Sequence, residues 1–182
     1  MLAMLGLVTA TVLAVPFWRT DARRTRGVLR RARVSRVAEL VDGELACIVG
    51  RVELDGAPLT AMMSRRPCVA YETVVQVFPR ADMTIPSRVD VERRIVPFYV
   101  VDETGRVRVD AAQAALCNRP VARSERFEER VIEVGATIRI VGSVTLDPTV
   151  DRVAELGFRD GATTATLTGS ANYPLLVDVE DR

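Results

Sequence analysis

The 182-residue chain contains two similar copies of a thirteen-residue segment, which lie ninety-two residues apart and share seven identical residues. Residues 43–55 read GELACIVGRVELD and residues 135–147 read GATIRIVGSVTLD. Each copy has two glycines seven residues apart, which are Gly43 and Gly50 in the first copy and Gly135 and Gly142 in the second. A glycine within a β-branched run marks a bulge or sharp bend, which lets a small barrel coil a long strand around a corner. The repeat therefore predicts two long, bent strands, chance similarity between generic strands being the alternative.

Alternating apolar and polar residues predict further strands. The alternation has a period of two in residues 68–78, which indicates a half-buried strand. Residues 95–101 and 106–110 flank the sequence DETG, and a turn that ends in glycine, here Gly105, indicates a hairpin. The last predicted strands are residues 163–168 and 175–179. The predicted fold is therefore mainly β, a small OB-like or barrel-like antiparallel β domain preceded by one N-terminal transmembrane helix.

The segments between these strands lack the alternation. Residues 111–117 are predicted as a short helix and residues 118–124 as a loop. Residues 127–134 are predicted as extended chain or one helical turn. Residues 79–90 contain two prolines and few apolar side chains, so they are predicted as the longest exposed loop and as the place for a partner to bind.

The chain begins with an uncharged run of seventeen residues, 2–18, before its first arginine. A helix of that length covers roughly 25 Å of a hydrocarbon core of about 30 Å. Trp18 at the interface and snorkelling by Arg19 make up the difference. A cleaved signal peptide and a buried core helix are the alternatives, but a signal peptide has its positive charge before the apolar run. Residues 1–18 are therefore predicted as an uncleaved transmembrane anchor.

An arginine-rich segment, residues 19–36, follows the anchor. Its arginines are Arg19, Arg23, Arg24, Arg26, Arg30, Arg31, Arg33 and Arg36. With Asp21 they give this segment a charge of +7, against −6 for the β-rich domain at residues 37–182. Because arginines stay on the cytoplasmic side, we expect a single-pass cell-membrane protein with its amino terminus outside and its domain in the cytoplasm.

The arginine-rich segment is also predicted to contact anionic lipid head groups of the membrane. Each arginine near an anionic leaflet contributes about 1 kcal/mol. Topology alone is the alternative explanation for the charge. The acidic domain argues against nucleic acid as a partner, because nucleic-acid affinity depends on basic patches that neutralise phosphates. A protein partner of unknown identity is expected instead.

The sequence shows no catalytic or cofactor-binding constellation, so no enzyme activity, metal or cofactor is predicted. Cys47, Cys68 and Cys117 are far apart, and the chain has no histidine to serve as a base or metal ligand. The cysteines are therefore predicted to be reduced core residues. The candidate acids for acid–base chemistry are Glu72, Asp102, Glu103 and Glu133. Turn formation explains Asp102 and Glu103 better than catalysis does.

Five motifs follow one another along residues 35–180. They are the first glycine strand, PCVAYE at 67–72, FYVVDETGRVRVD at 98–110, the second glycine strand and YPLLV at 173–177. This order resembles the GIDE domain family. The resemblance implies a β-rich, membrane-adjacent module, found in bacteria and in mitochondrial-membrane ubiquitin ligases whose separate RING carries the ligase function. A RING needs about eight Cys or His ligands, so the three cysteines of this chain leave no ligase chemistry to expect.

Three hypotheses for the function remain. The favoured one is a membrane-anchored β-barrel or OB-like module that binds another protein or a small ligand beside the cytoplasmic face. The others are an enzyme that uses the candidate acids and an OB-like nucleic-acid-binding domain. An exposed apolar groove would favour the first, buried converging carboxylates the second, and arginines with aromatics on one sheet face the third.

Overall fold

The computed structural model describes residue 27 and residues 29–78, 86–110, 114–146, 165–169 and 174–180. These residues form a short 3-10 helix, Val37–Glu39, and twelve β-strands. The strands are β1 (Leu45–Leu54), β2 (Leu59–Thr60), β3 (Pro67–Val77), β4 (Arg88–Ile95), β5 (Phe98–Asp102), β6 (Gly105–Asp110), β7 (Ala114–Leu116), β8 (Ala122–Arg123), β9 (Phe127–Glu133), β10 (Thr137–Leu146), β11 (Ala165–Thr168) and β12 (Leu175–Val179). The prediction of a mainly β domain is confirmed.

The predicted anchor, residues 1–18, lies outside the described residues. Within the described part of the chain, no helix has both the length and the apolar character that crossing a bilayer requires.

Five strands close into a barrel in the order β1, β5, β6, β11, β10 and back to β1. Neighbouring strands are antiparallel except β6 and β11. β12 pairs with β10 beside β11, and β7 adds to β12 in parallel. The antiparallel prediction is wrong at these two parallel pairs, because each joins strands that are separated by a long stretch of chain rather than by a hairpin.

A second sheet is built from segments inserted between barrel strands. β3 lies at its centre, with β9 on one edge and β4 on the other, and the short strands β2 and β8 pair with β3 and β9. Val69, Ala70 and Ile132 of this sheet join the main core, which the inward-facing residues of the barrel form. Hydrogen bonds between Val52 and the turn after β9 place the second sheet at the carboxyl end of β1.

The two copies of the glycine repeat are β1 and β10, and they pair with each other. Their central residues, Ile48 and Ile140, are equivalent in the repeat and lie opposite each other. The first glycine of each copy donates its amide to a valine carbonyl of the other copy; the bonds are Gly43 to Val144 and Gly135 to Val52, each 2.9 Å. Both glycines have a left-handed backbone, with φ of 76° and 81°, which favours glycine. The repeat therefore forms a local two-fold axis in the barrel wall.

The second glycine of each copy lies where its strand changes neighbour. β1 pairs with β5 only from Arg51 onward, and a Cβ on Gly50 would lie 2.5 Å from the Val101 carbonyl oxygen. Gly142 separates the parts of β10 that pair with β12 and β11, and a Cβ there would lie 3.1 Å from the Thr168 carbonyl oxygen. The register between β1 and β10 is unbroken at both positions. These glycines therefore allow close strand approach and do not mark a bulge between these two strands.

Three segments differ from their predictions. The helix predicted at residues 111–117 is wrong where the structure describes it, because Ala114–Leu116 form β7, which buries two side chains in the core and pairs with β12. The loop predicted at residues 118–124 contains β8. The loop predicted at residues 79–90 overlaps β4, which begins at Arg88, and residues 79–85 lie outside the described part. For residues 127–134 the extended alternative is confirmed by β9.

Candidate functional site

Glu72, the first candidate acid, is buried in the second sheet between two arginines. Arg93 donates to one oxygen of its carboxylate, and Arg130 donates to the other at 3.1 Å. Arg93 also donates to the Ala114 carbonyl at 2.9 Å. Glu72 therefore links β3, β4, β9 and β7, and structural partners occupy both of its oxygens.

Asp102 stabilises the turn between β5 and β6, as predicted. Its carboxylate accepts hydrogen bonds from the hydroxyl and the amide of Thr104, both at 2.7 Å, and from the Val37 amide at 2.8 Å. Burial disfavours the charged form, but these hydrogen bonds outweigh burial and lower the pKa of Asp102. The residue therefore fastens both the turn and the segment that precedes β1.

Glu103 and Glu133 form surface ion pairs of their own, with Arg36 and Arg66 respectively. The four candidate acids thus have separate partners and do not converge on one site. Among the residues that the structure describes, no group of three or more His, Cys, Asp or Glu is placed to hold a metal ion.

The three cysteines are buried and form no disulfide, in agreement with their prediction as reduced core residues. Burial raises the pKa of Cys68 and of Cys117 to about 11, and it also raises the pKa of Cys47. All three are therefore protonated at neutral pH, whereas the nucleophilic form of cysteine is the thiolate.

The outer face of β5 and β6 places arginines beside a tyrosine. The Arg106 guanidinium lies 4.9 Å from the centre of the Tyr99 ring. Arg108, which pairs with Tyr99 across the strands, donates to Asp55 at 2.8 Å. Single-strand binding needs stacking aromatics along a basic groove. Here Asp55 neutralises Arg108, whereas Arg106 keeps its charge and stacks on Tyr99, so this face offers one arginine–tyrosine pair and not a groove of several stacking aromatics.

The described part of the arginine-rich segment packs on the barrel wall. Leu29 is fully buried, and Val34 forms a parallel bridge with Cys47 of β1. The Ser35 amide donates to the Cys47 carbonyl at 2.8 Å. A hydrogen bond from Val37 to the β5–β6 turn extends this attachment. The backbone of the segment is therefore fastened to the barrel from Val34 onward.

The most exposed apolar side chains lie in and just after that segment. Among the large hydrophobic residues that the structure describes, Leu45 at 63%, Val41 at 52% and Val34 at 45% expose the largest fractions. Exposed arginines surround Val34 in the chain. We define the N-terminal face as Arg31, Arg33, Val34, Val41 and Leu45. Arg30 instead pairs with Asp178 of β12 at 3.9 Å. Leu45 begins β1, so it lies about 30 Å along the strand from the end that carries the second sheet.

An open cleft lies at that other end, between the barrel and the second sheet. Its volume is about 510 Å³, and its apolar lining comes from Pro120, Val121, Val131, Val134 and Val179. Its charged residues are Arg119, Glu133 and Glu180. Apolar walls with a few polar groups and a volume of roughly 300–1,000 Å³ are typical of binding sites. The cleft has the volume of a binding site, but polar groups supply at least as much of its lining as apolar groups do, so it is a mixed groove and not an apolar one.

Comparisons with known proteins give no relative for this chain. No protein-family model matches it, and neither curated proteins nor solved structures give a match. The resemblance to the GIDE domain family therefore stays a prediction, as do the membrane anchor and the cytoplasmic placement of the domain.

Half of the arginines of the arginine-rich segment lie outside the described residues, namely Arg19, Arg23, Arg24 and Arg26. The described arginines, Arg30, Arg31, Arg33 and Arg36, are all exposed. The cleft was not predicted, because residues 118–121, 131–137 and 179–180 are neighbours only after folding. Its one local signal is the apolar pair Pro120 and Val121 within a predicted loop. The N-terminal face had a clearer signal, a valine set among arginines.

Proposed function

We propose that this chain is a single-pass membrane-anchored binding module whose OB-like barrel stands on the cytoplasmic face of the cell membrane. Two features support an OB-like barrel: five strands close it, and its third and fifth strands in chain order, β6 and β11, are its one parallel pair. The barrel positions the N-terminal face at one end and the cleft at the other.

The N-terminal face is the observation that carries this proposal. Single exposed apolar residues are ordinary, but here the three most exposed ones of the described residues lie between residues 34 and 45. Arg31 and Arg33 precede this stretch, and the exposed acids Glu39, Asp42 and Glu44 lie within it. The arginine-rich segment that leads into this stretch follows the predicted anchor, which ends at residue 18, so an anchored chain keeps the N-terminal face near the lipid head groups. Each arginine there contributes about 1 kcal/mol of attraction to an anionic leaflet, and the apolar side chains insert into the interface.

A binding function explains the residues of the cleft better than a catalytic function does. Each candidate acid is held by a structural partner, and none of them joins the others at the cleft, where only Glu133 is part of the lining. The cleft instead offers a lining of both apolar and polar groups. An anchored module with such a cleft holds a protein or a small ligand beside the membrane.

Fractionation of the full chain tests the anchor. We expect intact protein, with residues 1–18 retained, to stay in membranes through a carbonate wash. A matched variant that lacks residues 2–18 should be released, which shows that the run is responsible. Recovery of a mature form that begins near Val15, or release of the intact chain by the wash, would contradict the proposal.

A further inference from the structure

Residues 34–41, which we call the connecting segment, lead from the arginine-rich segment into the barrel. The chain after them is held by β10, because the Leu146 amide donates to Asp42 at 2.8 Å and the Gly43 amide donates to the Val144 carbonyl at 2.9 Å. The connecting segment contains the 3-10 helix and lies outside that pairing. Its position on the barrel therefore depends on contacts of its own.

The β5–β6 turn provides the acceptors for two amides of the connecting segment. One oxygen of the Asp102 carboxylate accepts the Val37 amide at 2.8 Å, and the Thr104 hydroxyl accepts the Ala38 amide at 3.1 Å. The other Asp102 oxygen accepts bonds within the turn, from Thr104 and from the Gly105 amide. The first amides of a helix have no acceptor inside the helix. The turn therefore caps a helix that lies 65 residues before it in the chain.

Packing adds to these two hydrogen bonds. Val37 and Leu40 are partly buried and lie against the main core. A Cβ on Gly105 would lie 3.3 Å from a Val37 methyl group, so the turn backbone passes close to that side chain. Before the helix, the Ser35 amide donates to the Cys47 carbonyl of β1 at 2.8 Å. The connecting segment is thus attached at two places, to β1 and to the β5–β6 turn.

We propose that the β5–β6 turn is a clasp that fixes the distance and the orientation of the barrel relative to the membrane. This inference rests on the proposed membrane anchor. With the clasp closed, the barrel is attached from Val34 onward, and residues 19–33 alone separate it from the anchor. With the clasp open, the eight residues of the connecting segment add up to roughly 26–29 Å of reach, at about 3.3–3.6 Å for each extended residue. A closed clasp therefore keeps the N-terminal face at the lipid head groups.

The carboxylate of Asp102 is the part of the clasp that one substitution can remove selectively. An asparagine side chain has the same shape, and its single oxygen can still accept the bonds within the turn. Its amide group replaces the other oxygen and cannot accept from Val37, because both groups are donors. Asparagine is also a favourable turn residue. Asp102→Asn should therefore open the clasp and preserve the β5–β6 hairpin.

Hydrogen exchange of the Ser35 amide tests the clasp in the full chain, in detergent micelles, by nuclear magnetic resonance. Ser35 donates to Cys47 and not to Asp102, so its exchange reports release of the segment and not loss of its own acceptor. We expect about tenfold faster exchange in Asp102→Asn. Glu103→Gln is the matched control, because it removes the same charge from the same turn but breaks only the exposed ion pair with Arg36, which contributes little. Equal exchange in the two variants would overturn the proposal.

A variant in the connecting segment opens the clasp from the other side. Val37→Pro removes the amide that donates to Asp102 and leaves the turn and all barrel strands unchanged. Arg36 has φ of −84° and ψ of 152°, the extended conformation that a residue before proline prefers, and the first position of a helix accepts proline. We expect the same faster exchange at Ser35 as in Asp102→Asn. A Ser35 amide that exchanges at the native rate in Val37→Pro would contradict the clasp.

Energy transfer to labelled lipid measures what the clasp does at a membrane. A donor fluorophore is attached at Val134→Cys, since the three native cysteines are buried, and the full chain is reconstituted into vesicles with acceptor-labelled head groups. We expect one narrow distance distribution for the native clasp and a broader, longer one for Asp102→Asn and Val37→Pro. The same narrow distribution in all three proteins, with faster Ser35 exchange in the variants, would overturn the positioning role. A native chain that does not enter the vesicles would contradict the anchor, and the exchange result would still decide whether the clasp exists.

Discussion

The barrel and the second sheet are stabilised by different forces. The barrel is filled by an apolar cluster that includes Phe98 and Ile140. The second sheet has only a small apolar cluster of its own and depends on the buried carboxylates Glu72 and Glu129, which are bonded across strands. The barrel is therefore stabilised mainly by its apolar interior, to which the hydrogen-bonded carboxylate of Asp102 adds at the β5–β6 turn. The second sheet, which shapes the turn at residues 61–66 and one wall of the cleft, depends on ionised groups.

The largest expected effect comes from the barrel core. Phe98→Ala should lower the free energy of unfolding by about 3–5 kcal/mol, because it removes a fully buried aromatic side chain. Urea unfolding followed by circular dichroism measures the loss. Tyr99→Ala on the outer face of the same strand is the control and should cost less than half as much. Equal losses would show that the barrel is not held by its interior.

Gly50→Ala is expected to have the next largest effect. A Cβ at Gly50 would lie 2.5 Å from a backbone oxygen, against 3.1 Å at the equivalent Gly142. Overpacking of this kind costs about 1–3 kcal/mol, and we expect Gly50→Ala to be the costlier of the two. The same unfolding assay on both variants measures the difference. A larger loss of stability for Gly142→Ala than for Gly50→Ala would contradict the tighter approach of β1 to β5 at Gly50.

Glu129→Gln in the second sheet should lower the free energy of unfolding by about 1–3 kcal/mol, because it weakens the hydrogen bonds of a buried group. Burial opposes the charge of Glu129, but its hydrogen bonds lower its pKa below the ordinary 4.5. A lowered pKa stabilises the fold above pH 4.5, and the contribution is lost as the pH falls through the lowered value. As the pH falls below 5, the native chain should therefore lose more of its free energy of unfolding than the Gln variant does. Parallel pH curves for the two proteins would contradict this role.

The sequence predicts the two regions to different extents, for a physical reason. The repeat predicts β1 and β10 because its glycine spacing is a local pattern, and its second glycines lie where strands approach closely. The hydrogen bonds of Glu129 reach residues 56 to 66 positions away, so no local pattern could reveal the shape of the turn at residues 61–66 or the cleft. Residues 114–116 show the same limit, because a small apolar segment resembles a helix until its pairing with β12 is known.

The smallest expected effect concerns the N-terminal face. In a variant without residues 2–18, replacing Arg31 and Arg33 by glutamine should weaken binding to anionic vesicles by about 1 kcal/mol per arginine. Sedimentation with vesicles measures the change, and neutral vesicles are the control. Unchanged binding to anionic vesicles would limit the role of these arginines to topology.

The most direct test of the account is the depth of the two ends of the molecule in a bilayer. A fluorophore is attached to the full chain at Leu45→Cys or at Val134→Cys, and the protein is reconstituted into anionic vesicles that contain spin-labelled lipid. We predict strong quenching at position 45, on the N-terminal face, and none at position 134, beside the cleft. Quenching at position 134, or equal signals from both positions, would contradict the claim that the barrel stands on the membrane with its cleft directed away.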